Sequence, residues 1–131
     1  MEAAPDADLS RQREIVGAFL AASRDGDFDA LLAVLDPDVT ARADVGTVAM
    51  GAAAGVESEI HGAQGVARQF AGRAQGARLA IIDGSVGAVW APGGQPRVVF
   101  HFTIANGKIA GIETIADPER LAQFDVMIVY E

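Results

Sequence analysis

Two carboxylates lie at positions where an acidic side chain could do chemistry. Glu113 is the only charged residue on the apolar face of a late predicted strand, and Asp44 ends the first predicted strand. A carboxylate on an apolar face could act as a general acid or base, or contact a ligand. The alternative is that the strand is bulged, or that Glu113 lies near an open edge and is solvated. Asp36 and Asp38 also flank the first predicted strand, but they are explained more simply as residues of a helix end and a turn than as pocket residues.

A hairpin centred on Asn106-Gly107 determines which side chains would accompany Glu113. Both central residues of a two-residue type I′ turn need a positive φ, which favours this dipeptide. A regular ladder from the turn pairs Phe100 with Glu113, so that Phe100, Phe102 and Glu113 share one face. Trp90 is the only tryptophan of the chain. A lone tryptophan more commonly packs in a core or an interface, but Trp90 could also line the mouth of a pocket. The predicted ligand pocket comprises Asp44, Trp90, Phe100, Phe102 and Glu113.

The composition excludes several kinds of site. The chain has no cysteine, so it forms no disulfide, thiolate nucleophile or cysteine-ligated metal centre. His61 and His101 lack the spacing of a metal-binding motif, and the Gly-x-Ser-x-Gly motif of hydrolases is absent. We therefore expect no nucleophilic triad, no metal site and no cofactor.

The charge argues against a nucleic-acid partner. Ten basic and eighteen acidic residues give a net charge of −8, whereas phosphate contacts need a basic face. No apolar stretch approaches the ~20 residues of a membrane helix, and the N-terminus lacks the basic and apolar regions of a signal peptide. We expect a cytoplasmic protein that binds neither nucleic acid nor a membrane.

Hydrophobic periodicity predicts helices followed by an antiparallel sheet, which is an α+β arrangement. The length of 131 residues suits one domain, which we place at residues 9–131 after a frayed tail at residues 1–8. The predicted helices are 9–24, 28–35 and 62–74, with a helical turn at 117–122. The predicted strands are 39–45, 78–82, 86–91, 97–105, 108–116 and 124–130, and residues 46–60 are predicted to be mainly loop.

Several segments carry a resemblance to a known family. They are residues 26–32 (GDFDALL), 35–39 (LDPDV), 60–63 (IHGA), 97–100 (RVVF) and 116–121 (ADPERL). Together they resemble the SnoaL-like C-terminal domain of bacterial extracytoplasmic-function sigma factors. The resemblance implies the cone-shaped nuclear-transport-factor-2-like fold, in which helices pack on the concave side of a bent sheet.

The resemblance also implies a function and the residues that carry it. In the family, an Asp-Gly-Gly-Gly-Lys loop and an Asn-Pro-Asp-Lys-Leu-like segment are implicated in regulating sigma activity. The aligned loop here begins at Asp44 but lacks the lysine. The second segment is kept as a variant, which predicts a regulatory contact formed by Asp117, Pro118, Glu119, Arg120 and Leu121. The alternative is a capped turn that joins the sheet to its last strand, with Leu121 anchoring it in the core.

The expected role is therefore regulatory and non-enzymatic. The implied partners are promoter-binding sigma domains or RNA polymerase, and the fold is compatible with a small apolar ligand in the cone and with a homodimer. One alternative is a free-standing enzyme of the same fold, such as an isomerase, cyclase or epoxide hydrolase, and another is a ligand-binding protein without catalysis, because fold does not determine function.

Overall fold

Four helices pack on a seven-stranded sheet in the part of the chain that the structure describes. This structure is a computed structural model, and it describes residues 9–44, 58–72 and 76–129. The helices are α1 (Leu9–Asp25), α2 (Phe28–Val34), α3 (Ala63–Phe70) and α4 (Pro118–Leu121). The strands are β1 (Leu35–Ala43), β2 (Glu59–His61), β3 (Arg78–Ile82), β4 (Ser85–Trp90), β5 (Val98–Ala105), β6 (Lys108–Ile115) and β7 (Val126–Ile128).

One parallel pair interrupts an otherwise antiparallel sheet. The strand order is β2-β1-β6-β5-β4-β3-β7. β1 and β6 run in the same direction, with Ala43 opposite Thr114. Because parallel strands finish at the same edge of a sheet, the residue after β1 and the residues after β6 lie side by side.

The main core lies between the helices and one face of the sheet. Phe19 of α1 is fully buried and forms edge-to-face contacts with Phe70 of α3 and Phe102 of β5, both at 5.3 Å between ring centroids. Two buried polar side chains of α1 join it to β4 and to α3. The Gln12 side chain accepts a hydrogen bond from Val86 N at 3.0 Å, and the Ser23 hydroxyl donates to Phe70 O at 2.6 Å.

A second apolar cluster covers the opposite face of the sheet. Its buried members are Ala80, Ile82, Val89 and Val99. Ala91, which follows β4, packs against them, and so do four residues of the chain after β6, namely Leu121, Phe124, Val126 and Ile128. The segment that contains α4 is therefore anchored on the side of the sheet away from the helices.

The predicted register of the β5–β6 hairpin is wrong beyond its first two residue pairs. The turn itself is as expected, with φ of 55° at Asn106 and 76° at Gly107. A register shift after Ile104 leaves Ala110 without a partner, so Glu113 pairs with His101 and Thr114 pairs with Phe100. An extra residue in one strand moves every later side chain to the other face. Glu113 therefore does not share a face with Phe100 and Phe102.

The element order matches the prediction except for β2 (Glu59–His61), which begins at the end of the segment predicted to be mainly loop. The other differences concern the ends of elements. The first strand begins at Leu35, four residues earlier than expected, because the irregular stretch of β1 between Leu35 and Thr40 accommodates Pro37, which lacks an N–H. The last strand is only Val126–Ile128. The predicted tail at residues 1–8 and most of the predicted 46–60 loop lie outside the described residues. No helix among the described residues is long and apolar enough to cross a membrane.

Candidate functional site

Asp44 lies at the junction of β1 and α4. Its two carboxylate oxygens accept hydrogen bonds from Ala116 N at 3.1 Å, and one of them also accepts from Asp117 N at 3.0 Å. The side chain is only 9% exposed. The parallel pairing of β1 and β6 makes this contact, because it brings Asp44 beside the chain that leaves β6. Asp44 therefore determines where α4 begins.

Arg120 connects α4 to the outer face of the sheet. Its Nη2 atom donates to Oε2 of Glu113 at 3.1 Å, and its Nη1 atom lies 4.0 Å from Oδ2 of Asp44. The Arg120 and Glu113 side chains are 42% and 46% exposed. A pair this open to water contributes between 0 and about 1 kcal/mol. Its main effect is therefore to orient the Arg120 guanidinium.

The remaining residues of α4 divide into supporting and outward-facing groups. Asp117 is the N-cap, and its carboxylate accepts from Glu119 N at 3.0 Å. Pro118 occupies the first helical position, where its fixed φ suits the helix. Leu121 is half-buried on the second apolar cluster. Pro118 and Glu119 are exposed, so they form the outward-facing part of α4.

An apolar groove of about 700 Å³ runs beside α4. Trp90 is 38% exposed, although large apolar side chains are usually buried. Its indole lies directly against Gly76, where a Cβ atom would be 3.1 Å from the ring. The groove is lined by Trp90, Pro92, Gln95, Pro96, Arg97, Ala116, Pro118, Leu121 and Ala122. It joins the predicted regulatory segment to the predicted pocket tryptophan.

The five predicted pocket residues do not form one group. Phe102 is buried in the main core, and Phe100 is half-buried with its ring 6.4 Å from that of Phe70. Asp44 and Glu113 lie beside α4, and Trp90 lies in the apolar groove. Sequence reasoning missed Pro92 and Pro96, whose only signal was their position on either side of Gly93-Gly94 after the tryptophan.

The polar residues of the outer sheet face are paired with one another. Glu59 Oε2 accepts from Arg42 Nε and lies near His61 Nε2, both at 3.3 Å. The His61 Nδ1 atom is 3.3 Å from the Thr40 hydroxyl. Among the described residues, no three histidine or acidic side chains are grouped so that they could hold a metal ion. The surface beside α4, by contrast, combines apolar area with the exposed charges of Arg97 and Glu119.

Comparison with known proteins supports both the fold and the sigma-factor homology. No protein-family model matches the chain. The ECF RNA polymerase sigma factor SigJ of Mycobacterium tuberculosis is 30% identical over an alignment of 119 residues, and the match covers 82% of this chain and 38% of that protein. The crystal structure of SigJ matches with a TM-score of 0.63 and 25% identity over 85% of this chain and 44% of the other. The chain thus spans less than half the length of this relative.

Other solved structures share the fold at lower identity. TerC, crystallised with polyporic acid, matches with a TM-score of 0.54 and 19% identity over 86% of this chain and 96% of its own. An NTF2-like protein of unknown function from Mesorhizobium loti matches with a TM-score of 0.55 and 17% identity, with coverage of 86% and 96%. The chain therefore has the SnoaL-like, nuclear-transport-factor-2-like α+β fold and is homologous to the C-terminal domain of extracytoplasmic-function sigma factors.

Proposed function

We propose that this chain is a regulatory domain of a bacterial sigma factor and that it modulates transcription initiation in the cytoplasm. The observation that carries the proposal is the 30% identity to SigJ across 82% of the chain. The site supports it, because Asp44 and Glu113, the two candidate proton-transfer carboxylates, already bind backbone amides and an arginine. Those contacts favour a supporting role over catalysis.

The proposed contact surface combines α4 with the apolar groove. Glu119 supplies an exposed charge, and Trp90, Pro118 and Leu121 supply apolar area. A few residues near the centre of an interface carry most of its binding energy, and tryptophan is enriched among them. The partner would be the promoter-binding sigma domains or RNA polymerase. Asp44, Asp117 and Arg120 keep the surface in place and are not themselves the recognition residues.

Transcription from the cognate promoter tests this proposal. The protein would be the chain joined to the promoter-binding domains of its own gene, with RNA polymerase, and the variant would be Glu119→Arg. Because Glu119 is exposed, the variant should melt within about 0.5 kcal/mol of the parent, while transcription should change at least severalfold. Asp38→Arg is the matched control, since Asp38 is also exposed and lies at the other end of β1. Equal transcription from all three proteins would contradict the proposal.

The single tryptophan gives a direct binding measurement. Adding the separately purified promoter-binding domains should move Trp90 emission to shorter wavelength, because a docked partner removes water from the indole. Leu121 anchors α4, so Pro118→Asp is the better variant for weakening the contact. An unchanged emission spectrum, with complex formation shown by another method, would place the contact elsewhere on the domain.

A further inference from the structure

A second groove lies between α1 and β3, away from α4. Four positions of α1, namely Arg13, Gly17, Leu20 and Arg24, are spaced by four, three and four residues and so share one helical face. They face the start of β3 and Val129 across a groove of about 480 Å³. Pockets that bind small molecules span about 300 to 1,000 Å³, so the groove has the size of a ligand site.

The floor of the groove is apolar and is kept open by a glycine. Leu20 and Ala77 are 6% and 8% exposed, and Leu79 is half-buried. A Cβ atom at Gly17 would lie 4.0 Å from Cδ1 of Leu79, which is ordinary contact. Any longer side chain at position 17 would extend into the space between α1 and β3. Leu79 and Val129, which are both half-buried, are the apolar side chains against which an apolar body can lie.

The rim of the groove is cationic although the chain is acidic. Arg13, Arg24 and Arg78 all line it and all are exposed, whereas Glu14 is the only acid among the described lining residues. These are three of the nine arginines in a chain of net charge −8. Each of the three also has a contact within the chain. A guanidinium presents several N–H donors in a planar fork, so it can keep its contact within the chain and also donate to a carboxylate.

We propose that this groove binds a small amphipathic carboxylate. The carboxylate is held by the arginines of the rim, and its apolar chain lies on Leu79 and Val129. A guanidinium and a carboxylate form paired, charge-assisted hydrogen bonds, while the floor removes apolar surface from water. This inference is independent of the transcription proposal, since it uses neither α4 nor the groove at Trp90.

Calorimetric titration of the full chain with octanoate tests the proposal. Octanoate should bind with a dissociation constant on the order of 1 mM or tighter, and octanamide, which has the same length and no charge, should bind at least about tenfold more weakly. Arg78→Gln and Arg13→Gln remove rim charges from β3 and α1 separately. At least one of them should weaken octanoate binding roughly tenfold.

Two further variants separate the groove from general charge effects. Arg68→Gln removes one positive charge from an exposed position on α3 and should leave octanoate binding unchanged. Gly17→Leu should abolish binding by filling the groove, and a thermal melt would show whether each variant is folded. The proposal is overturned if octanoate gives no heat, if octanamide binds equally well, or if Arg68→Gln weakens binding as much as the rim variants.

Discussion

Asp44 illustrates how one buried carboxylate positions a distant segment. It lies at the end of β1, yet it binds the amides of Ala116 and Asp117, which follow β6. Ala116 is only 8% exposed, so water cannot easily replace the carboxylate as its acceptor. The direction of α4, and with it the surface around Pro118 and Glu119, depends on this side chain.

Replacing Asp44 should therefore destabilise the fold, and alanine at this position should cost more than asparagine. Asp44→Ala leaves two amides without an acceptor and should cost about 2 to 4 kcal/mol of unfolding free energy, whereas Asp44→Asn keeps one oxygen and should cost about half as much. Urea denaturation would measure both. Asp38→Ala, at an exposed acid near the start of the same strand, should change stability by less than about 0.5 kcal/mol. Equal melting of Asp44→Ala and this control would show that the amides find another acceptor.

Phe102 gives the most direct test of which face of β5 packs in the main core. Its ring contacts that of Phe19 and is only 5% exposed, so Phe102→Ala should lower the free energy of unfolding by about 3 to 5 kcal/mol. Met127→Ala, at a side chain that is 66% exposed, should have almost no effect. A loss below about 1 kcal/mol for Phe102→Ala in denaturant melts would mean that the core can refill the space.

At the scale of elements, the sequence predicted the helices and strands but not how two strands are matched. The turn at Asn106-Gly107 follows from local chemistry, since the dipeptide favours positive φ at both positions. The extra residue at Ala110 has no such local signal. The parallel pairing of β1 with β6 joins residues about 70 positions apart, and single-sequence periodicity carries no information about such contacts. These two pairings are what places Glu113 and Asp44 next to α4.

Disulfide trapping tests the observed register, and the chain supplies a clean background because it has no cysteine. His101→Cys with Glu113→Cys places two thiols on directly opposed residues, whose Cα atoms are about 4.5 to 5.5 Å apart, within disulfide range. His101→Cys with Gly111→Cys is the matched control, a diagonal pair about 7 to 8 Å apart. Mass spectrometry after mild oxidation should show the first bond and little of the second. In a regular ladder Ile112 would lie opposite His101, and positions 111 and 113 would be equally distant from it. Equal yields of the two disulfides would therefore contradict the bulge.

At the scale of the whole molecule, several cationic side chains bind partners within the chain. Arg42 pairs with Glu59, Arg120 pairs with Glu113, and the Lys108 ammonium donates to Ala33 O at 2.9 Å. The three arginines of the α1–β3 groove lie together, but on a surface whose overall charge is negative. The field at a distance is therefore that of an acidic protein, which repels polyanions and favours cationic surfaces of a partner.

The isolated chain should consequently fail to bind duplex DNA. Affinity for DNA comes largely from counterions released when lysines and arginines neutralise successive phosphates, and the paired cations here cannot do so without breaking their own contacts. Fluorescence anisotropy of a labelled duplex should show no binding up to about 100 µM protein at roughly 150 mM salt, because even non-specific DNA-binding proteins reach about 1 to 100 µM. Micromolar binding would contradict this prediction. In that case the salt dependence would count the phosphates contacted, and the Arg13→Gln, Arg24→Gln and Arg78→Gln triple variant would show whether the α1–β3 groove is responsible.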